Sequence, residues 1–94
     1  MSFYRFPKHV NVNSIDNRQA HEKIGEELLE AVAAYWMPWY VNDELRQQYG
    51  MELLDIIHAT ETALRKEFSD EEVEQMRAKV IEKNARRGYY GGLK

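Results

Sequence analysis

The sequence predicts an all-α protein, a bundle of three main helices in a chain of 94 residues. Apolar residues recur at the spacing of one helix face in three successive stretches, and capping residues or a proline separate these stretches. No stretch shows the alternation of apolar and polar residues that indicates a strand. The predicted helices cover about residues 14–37, 43–66 and 70–85 of a single domain that occupies residues 1–94.

The first helix follows an irregular N-terminal arm, residues 1–13, whose aromatic side chains we expect to pack on the helices. Asn13 or Ser14 is placed to cap this helix, and Pro38 stops it because the residue before a proline is biased away from helical geometry. The expected buried stripe consists of Ile24, Leu28, Ala31 and Tyr35.

The second helix begins after an aromatic turn, with Asn42 or Asp43 as its cap. Its predicted stripe includes one carboxylate among apolar and small residues. The stripe consists of Leu45, Tyr49, Glu52, Ile56, Ala59 and Ala63.

The third helix opens with a capping box, because Ser69 and Glu72 stand at N-cap and N3 spacing. We expect residues 86–94 to form a flexible tail. The predicted stripe of this helix consists of Val73, Met76, Val80 and Asn84.

Composition narrows the possible classes of protein. A hydrophobic content of 44% with 31% charged residues is ordinary for a folded globular protein, and a net charge of −3 gives no reason to expect a nucleic-acid partner. The absence of cysteine excludes disulfides and thiolate metal sites. No signal-peptide pattern or membrane-length apolar run is present, so we expect a cytoplasmic protein that does not bind membranes.

Four carboxylates form two pairs at i,i+3 spacing, Glu27 with Glu30 and Glu52 with Asp55. Residues three apart lie on one face of a helix, so each pair can direct two carboxylates towards one point. Glu52 falls inside its apolar stripe, Asp55 lies at the edge, and Glu27 borders the stripe of the first helix. A buried carboxylate needs a pairing cation, a proton or a metal. One acidic pair is usually a solvated helix face, but two pairs on packed helices favour a site.

The motif Glu26-Glu27-x-x-Glu30, followed by Glu52-x-x-Asp55, resembles the signature of the MazG-like, all-α nucleoside triphosphate pyrophosphohydrolases. The resemblance covers about residues 20–90, and the tail is similar to that of small phage-type members. It also includes Lys23, Lys83-Asn84 and Arg87-Gly88-Tyr89-Tyr90.

The resemblance implies an enzyme that converts a (d)NTP and water to the (d)NMP and pyrophosphate, with a role in nucleotide-pool housecleaning. It implies a core completed by dimerisation into a four-helix-type bundle, as a homodimer or as a homotetramer that is a dimer of dimers. Glu26 would be a neighbouring acid, and Glu26 or Glu27 would accept the proton of the attacking water. The implied ligands of Mg²⁺, or of Mn²⁺ as a substitute, are Glu27, Glu30, Glu52 and Asp55.

Cations at helix ends and tails complement a polyanionic substrate, although the usual place of such residues is a solvated surface. Trp36 and Trp39 of the aromatic turn are candidates for stacking on the base, although such residues more often fill a core or an interface. The candidate phosphate-binding residues are Lys23, Lys83, Asn84, Arg87 and Tyr90.

Three other interpretations stay open. Asp55-Ile-Ile-His58 has the acid-x-x-His spacing of di-iron bundles, but those proteins need two such elements, and Glu30 stands where the second histidine is wanted. The chain is alternatively a non-catalytic helical dimer that binds a nucleotide or a protein. It is alternatively a structural helical protein in which Glu52 pairs with a cation across an interface.

Overall fold

The computed structural model describes residues 3–91, which contain three helices and no strand. The helices are α1 (Asn17–Tyr35), α2 (Asp43–Glu67) and α3 (Asp70–Arg86). The predicted all-α class and the number of helices are confirmed. The described residues form two compact units, residues 4–67 and Phe3 with residues 68–91. Residues 1 and 2 of the predicted arm and residues 92–94 of the predicted tail lie outside the described residues.

The start of α1 differs from the prediction, because Asp16 caps the helix in place of Asn13 or Ser14. The Asp16 carboxylate accepts a hydrogen bond from the Gln19 N–H at 2.8 Å, and the Gln19 side chain accepts one from the Asp16 N–H at 3.1 Å. The Ser14 hydroxyl instead donates to the carbonyl of Asn11. The reciprocal hydrogen bonds of Asp16 and Gln19 form a capping box, which satisfies two of the N–H groups that a helix start leaves free.

The other helix ends agree more closely with the sequence. α1 ends at Tyr35, two residues before the predicted end. Asn42 caps α2 by accepting from the Leu45 N–H at 3.1 Å, so one of the two predicted caps is confirmed. The predicted capping box of α3 is also confirmed, with hydrogen bonds of 3.2 and 2.9 Å between Ser69 and Glu72.

In the unit of residues 4–67, α1 packs against α2 through a core of small side chains. The predicted stripe of α1 is confirmed for Ala31 and wrong for Leu28 and Tyr35, which are 52% and 48% exposed, while Glu27 is only 6% exposed. Alanine side chains allow the closest approach of two helices, so the alanine face of α1 is the buried one, and Glu27 lies on it. The buried alanines are Ala20, Ala31 and Ala34 of α1 and Ala59 of α2.

In the other unit, Val73 is buried as predicted, and Met76 and Asn84 are half-buried. Val80 is 46% exposed, so its place in the predicted stripe is wrong. The guanidinium of Arg77 lies 5.7 Å from the ring centre of Phe3, which is a cation–π contact within this unit.

The N-terminal arm is fastened to α2 by two side chains. The buried Glu61 carboxylate accepts hydrogen bonds from the backbone N–H groups of Arg5 at 2.9 Å and Phe6 at 3.0 Å. Arg65 donates to the Phe6 carbonyl at 2.9 Å, and its guanidinium lies 4.0 Å from the ring centre of Tyr4. The expectation that arm aromatics pack on the helices is therefore confirmed for Tyr4.

Candidate functional site

The sequence-predicted acids meet between α1 and α2. Glu27 from α1 and Glu52 and Asp55 from α2 each place one carboxylate oxygen so that the three oxygens lie within 4.8 Å of one another. The i,i+3 spacing puts Glu52 and Asp55 on one face of α2. Like charges this close repel unless a cation or a proton offsets them.

Two oxygens of this acidic cluster are buried without a hydrogen-bond partner among the described residues, Glu27 Oε2 and Glu52 Oε2. The Glu27 side chain is 8% exposed, and its other oxygen, Oε1, lies 3.0 Å from Lys23 Nζ. A buried polar oxygen with no partner carries its full desolvation penalty, on the order of 1–3 kcal/mol and more for a charged group. The cluster therefore contains two carboxylate oxygens with which Lys23 makes no contact.

Glu30, the fourth predicted ligand, is exposed and lies outside the group of three oxygens. The negative charge of Glu27, followed by burial and the charge of Glu52, raises the pKa of Glu30 above its ordinary value of 4.5. The charges of Glu27 and Glu52 therefore act on Glu30, although Glu30 lies outside the group of three oxygens.

Lys23 links the cluster to the neighbouring acid that the resemblance indicates. Its Nζ lies 3.8 Å from Glu26 as well as 3.0 Å from Glu27. The hydrogen bond to Glu27 and the charge of Glu27 raise the pKa of Lys23 above 10.5. The Lys23–Glu26 pair is exposed on both sides, and such pairs contribute little to stability. Lys23 therefore acts mainly on Glu27.

A cavity of about 330 Å³ adjoins the cluster within the same unit. Lys23, Glu27 and Asp55 line the side where the acids meet, so the cavity opens onto the candidate metal ligands. The remaining lining residues come from the arm and from both helices, and they are His9, Ile15, Gln19, Ala20, His58, Ala59 and Thr62.

The candidate base-binding tryptophans lie elsewhere in this unit. Trp39 stacks on Tyr49 with ring centres 5.4 Å apart, while Trp36 is 78% exposed. Both tryptophans line a separate cavity of about 490 Å³ in the aromatic turn. At 1.5 Å per residue, Trp36 follows Glu27 by about 14 Å along the helix axis. The structure thus does not bring the tryptophans into the cavity beside the acids.

The other candidate phosphate-binding residues belong to the second unit, where they gather at the C-terminal end of α3. The Arg87 N–H donates to the Lys83 carbonyl, and Gly88, with a φ of 81°, follows the end of the helix. Asn84 is half-buried, and Tyr90 is 40% exposed. Their role in phosphate binding stays a prediction.

His58 lines the cavity, but its ring stacks on Phe6 with ring centres 5.0 Å apart. Among residues 3–91, the group of side chains close enough to hold a metal consists of three carboxylates and includes no histidine. A set of carboxylate oxygens is typical of Mg²⁺, Mn²⁺ or Ca²⁺. The donor set therefore gives no support to the di-iron interpretation.

Comparisons of the chain with protein-family models, curated proteins and solved structures give no match. The likeness to MazG-like enzymes therefore remains a prediction from the motif. In the described part of the chain, none of the helices combines the length and apolar character needed to cross a membrane.

Sequence reasoning missed two parts of this region. The contacts of Glu61 with the arm join residues 55 and 56 positions apart, and no local pattern signals such a pairing. His9, Gln19 and Thr62 line the cavity although none belongs to a recognisable motif. The Asp16-x-x-Gln19 spacing was the one local pattern that could have identified Gln19, because it is a variant of the capping box.

Proposed function

We propose that this chain is a Mg²⁺-dependent nucleoside triphosphate pyrophosphohydrolase, which releases pyrophosphate from a (d)NTP. The observation that carries the proposal is the acidic cluster with its two buried, unpartnered oxygens on Glu27 and Glu52. Two helices direct these acids to one point, and the only nearby cation among the described residues, Lys23, contacts just one oxygen of Glu27.

The residues fit a hard divalent cation. Mg²⁺ binds carboxylate oxygens, keeps several waters and is shared with substrate phosphates, so a site with three protein oxygens and open positions suits it. Glu27, Glu52 and Asp55 would hold the ion, with Glu30 joining as a further ligand. When bound, Mg²⁺ offsets the charge of the triphosphate and lowers the pKa of a coordinated water.

The protein side chains supply the remaining functions. Lys23 holds Glu27 in one orientation through Oε1, while Oε2 stays buried without a partner among the described residues. Glu26 or Glu27 accepts the proton of the water that attacks the α-phosphorus.

A second copy of the chain is the proposed partner, as a homodimer or as a dimer of dimers. Among the described residues no large side chain is fully buried, so one copy buries a small core. The helices α1 and α2 leave apolar side chains 38–71% exposed, and a symmetric contact would cover them. These side chains are Leu28, Leu29, Val32, Leu53, Leu54 and Ile57. Sedimentation of the wild type and of Leu54→Glu tests this contact, and a wild-type monomer at every concentration would refute it.

The proposed reaction is tested by pyrophosphate release from a panel of dNTPs and NTPs, with Mg²⁺ or with EDTA. We expect release that needs Mg²⁺ and that Glu52→Gln abolishes. Glu44→Gln is the matched control, because it makes the same change in charge at an exposed position of α2. Release that survives EDTA, or that Glu52→Gln leaves unchanged, contradicts the proposal.

Folded, Mg²⁺-saturated protein that releases pyrophosphate from none of the nucleotides also contradicts it. The non-catalytic binding dimer then becomes the better interpretation, and nucleotide binding without turnover would support that alternative.

A further inference from the structure

We infer that the N-terminal arm completes a nucleoside-binding pocket beside the acidic cluster, with His9 as a hydrogen-bond donor to the bound nucleoside. The inference rests on the proposed function, since it assigns the place of the base and sugar of the same (d)NTP. The arm lies outside the residues that resemble MazG-like enzymes, so its part in the pocket is a property of this chain.

The cavity has the size and position that this ligand needs. Its volume of about 330 Å³ lies at the lower end of the range of about 300–1,000 Å³ found for small-molecule sites. Lys23, Glu27 and Asp55 line it at the acidic side, so a triphosphate that reaches the cluster leaves its nucleoside in this space.

The walls suit a flat, partly apolar ligand. Ile15, Ala20 and Ala59 provide apolar surface, and the imidazole of His58 offers an aromatic face. Phe6 stacks on this imidazole, with an angle of 21° between the two rings. Any of the bases can stack on an aromatic side chain, because every base has a π-face.

The polar groups at the cavity have defined free atoms. His9 Nδ1 accepts a hydrogen bond from the Asn11 N–H at 3.0 Å, so the proton of the neutral ring lies on Nε2 and is available to a ligand. Gln19 Oε1 accepts from the Asp16 N–H, which leaves the amide NH₂ as a second donor. Both donors match acceptor atoms, such as carbonyl oxygens and ring nitrogens, on a base or its sugar.

The arm is held in the position that the pocket requires. Glu61 and Arg65 fix the backbone at Phe6, three residues before His9. This anchoring limits the conformational entropy that the arm loses when a ligand binds, which favours affinity. The aromatic turn offers no equivalent arrangement, because its cavity has no lining residue from the acidic cluster.

The histidine ring signals in NMR spectra report directly on the pocket, because the chain has three histidines and two of them line the cavity. The probes are the deoxynucleosides without phosphate, titrated one at a time in EDTA, because a phosphate would be repelled by the acidic cluster once metal is removed. We expect the signals of His9 and His58 to shift with a saturable dependence, while His21, which is exposed and outside the lining, stays in place.

Substitution of His9 tests the same inference by kinetics. We expect His9→Ala to raise KM for the preferred (d)NTP about tenfold with little change in kcat, which corresponds to about 1.4 kcal/mol. His9→Gln keeps a donor and should recover part of the loss. His21→Ala is the matched control and should leave both constants unchanged.

The outcomes separate this inference from the proposed function. Hydrolysis with no shift of His9 or His58, or with an unchanged KM in His9→Ala, overturns the pocket and leaves the proposed reaction intact. Shifts confined to His9 and His58 without hydrolysis support the pocket and overturn the enzyme. Equal shifts of all three histidines mean non-specific binding and also overturn the pocket.

Discussion

Two buried carboxylates in the same unit, Glu61 and Glu27, have opposite surroundings. Both oxygens of Glu61 accept a hydrogen bond from a backbone N–H of the arm, and the residue is 3% exposed. Glu27 is 6% exposed, but among the described residues only its Oε1 has a partner, and two other acids lie beside it. Burial alone therefore does not identify a functional acid.

The difference lies in how each negative charge is compensated. The N–H donors of the arm compensate Glu61 within the fold, which gives it a structural role. Lys23 contacts only one oxygen of Glu27, and Glu27 Oε2 and Glu52 Oε2 have no partner among the described residues, so this is where the proposed Mg²⁺ would bind.

Glu27→Gln should reduce pyrophosphate release by about 100-fold or more, since even the outer partners of metal ligands contribute about 10–100-fold. The variant should stay folded, because it removes a charge from a crowded site. Steady-state kinetics and circular dichroism measure the two effects. Activity within a few-fold of wild type would place Glu27 in the same structural class as Glu61.

Glu61→Gln should lower the free energy of unfolding by about 2 kcal/mol. The amide NH₂ takes the place of one carboxylate oxygen, so one N–H group of the arm loses its acceptor. Urea denaturation measures this change. Glu67→Gln, at an exposed position of the same helix, is the control and should change stability little. An equal effect of the two substitutions would mean that the contact between arm and helix contributes nothing.

Mg²⁺ should stabilise the wild-type protein by about 1.4 kcal/mol at ten times its dissociation constant, because it binds only the folded state. Thermal denaturation with and without Mg²⁺ measures the shift. Glu61→Gln should keep this increment and Glu27→Gln should lose it. The reverse pattern would move the cation site from the acidic cluster to the arm.

The pKa of Glu30 should fall towards 4.5 in Glu27→Gln, because the charge of Glu27 is the largest cause of its elevation. Since the pKa of Glu30 is raised in the folded state, its contribution to stability is complete below the unfolded-state value and is lost as the pH rises through the folded-state pKa. Carboxyl carbon NMR titration of metal-free protein measures the change. An unchanged pKa would show that the charge of Glu27 does not act on Glu30.

Local patterns explain why most of the helix boundaries were predictable from the sequence. The capping box of Ser69 and Glu72 and the cap at Asn42 depend on neighbouring residues, and both are confirmed. The start of α1 was predicted about three residues too early, because Asn13 and Ser14 are as suitable for an N-cap as Asp16 and only the fold selects among them.

Helical spacing was enough to predict which acids form the candidate site. Glu27, Glu52 and Asp55 do come together, although Leu28 of the predicted α1 stripe is exposed and Ala20 and Ala34 are buried along with the predicted Ala31. The cavity depends on the arm returning to α2 through Glu61. A contact of that sequence separation leaves no periodic trace, which is why His9 was not singled out.

The contact of Glu61 with the arm has a consequence for how the N-terminal segment can change over evolution. Glu61 binds main-chain amides, so residues 5 and 6 can vary widely in side chain without losing these hydrogen bonds. Proline is the exception, since it has no N–H to donate. Pro7 follows directly after the last amide that Glu61 holds. Sequences of related chains should therefore exclude proline at positions 5 and 6, and position 5 should vary more freely than position 6, whose ring stacks on His58.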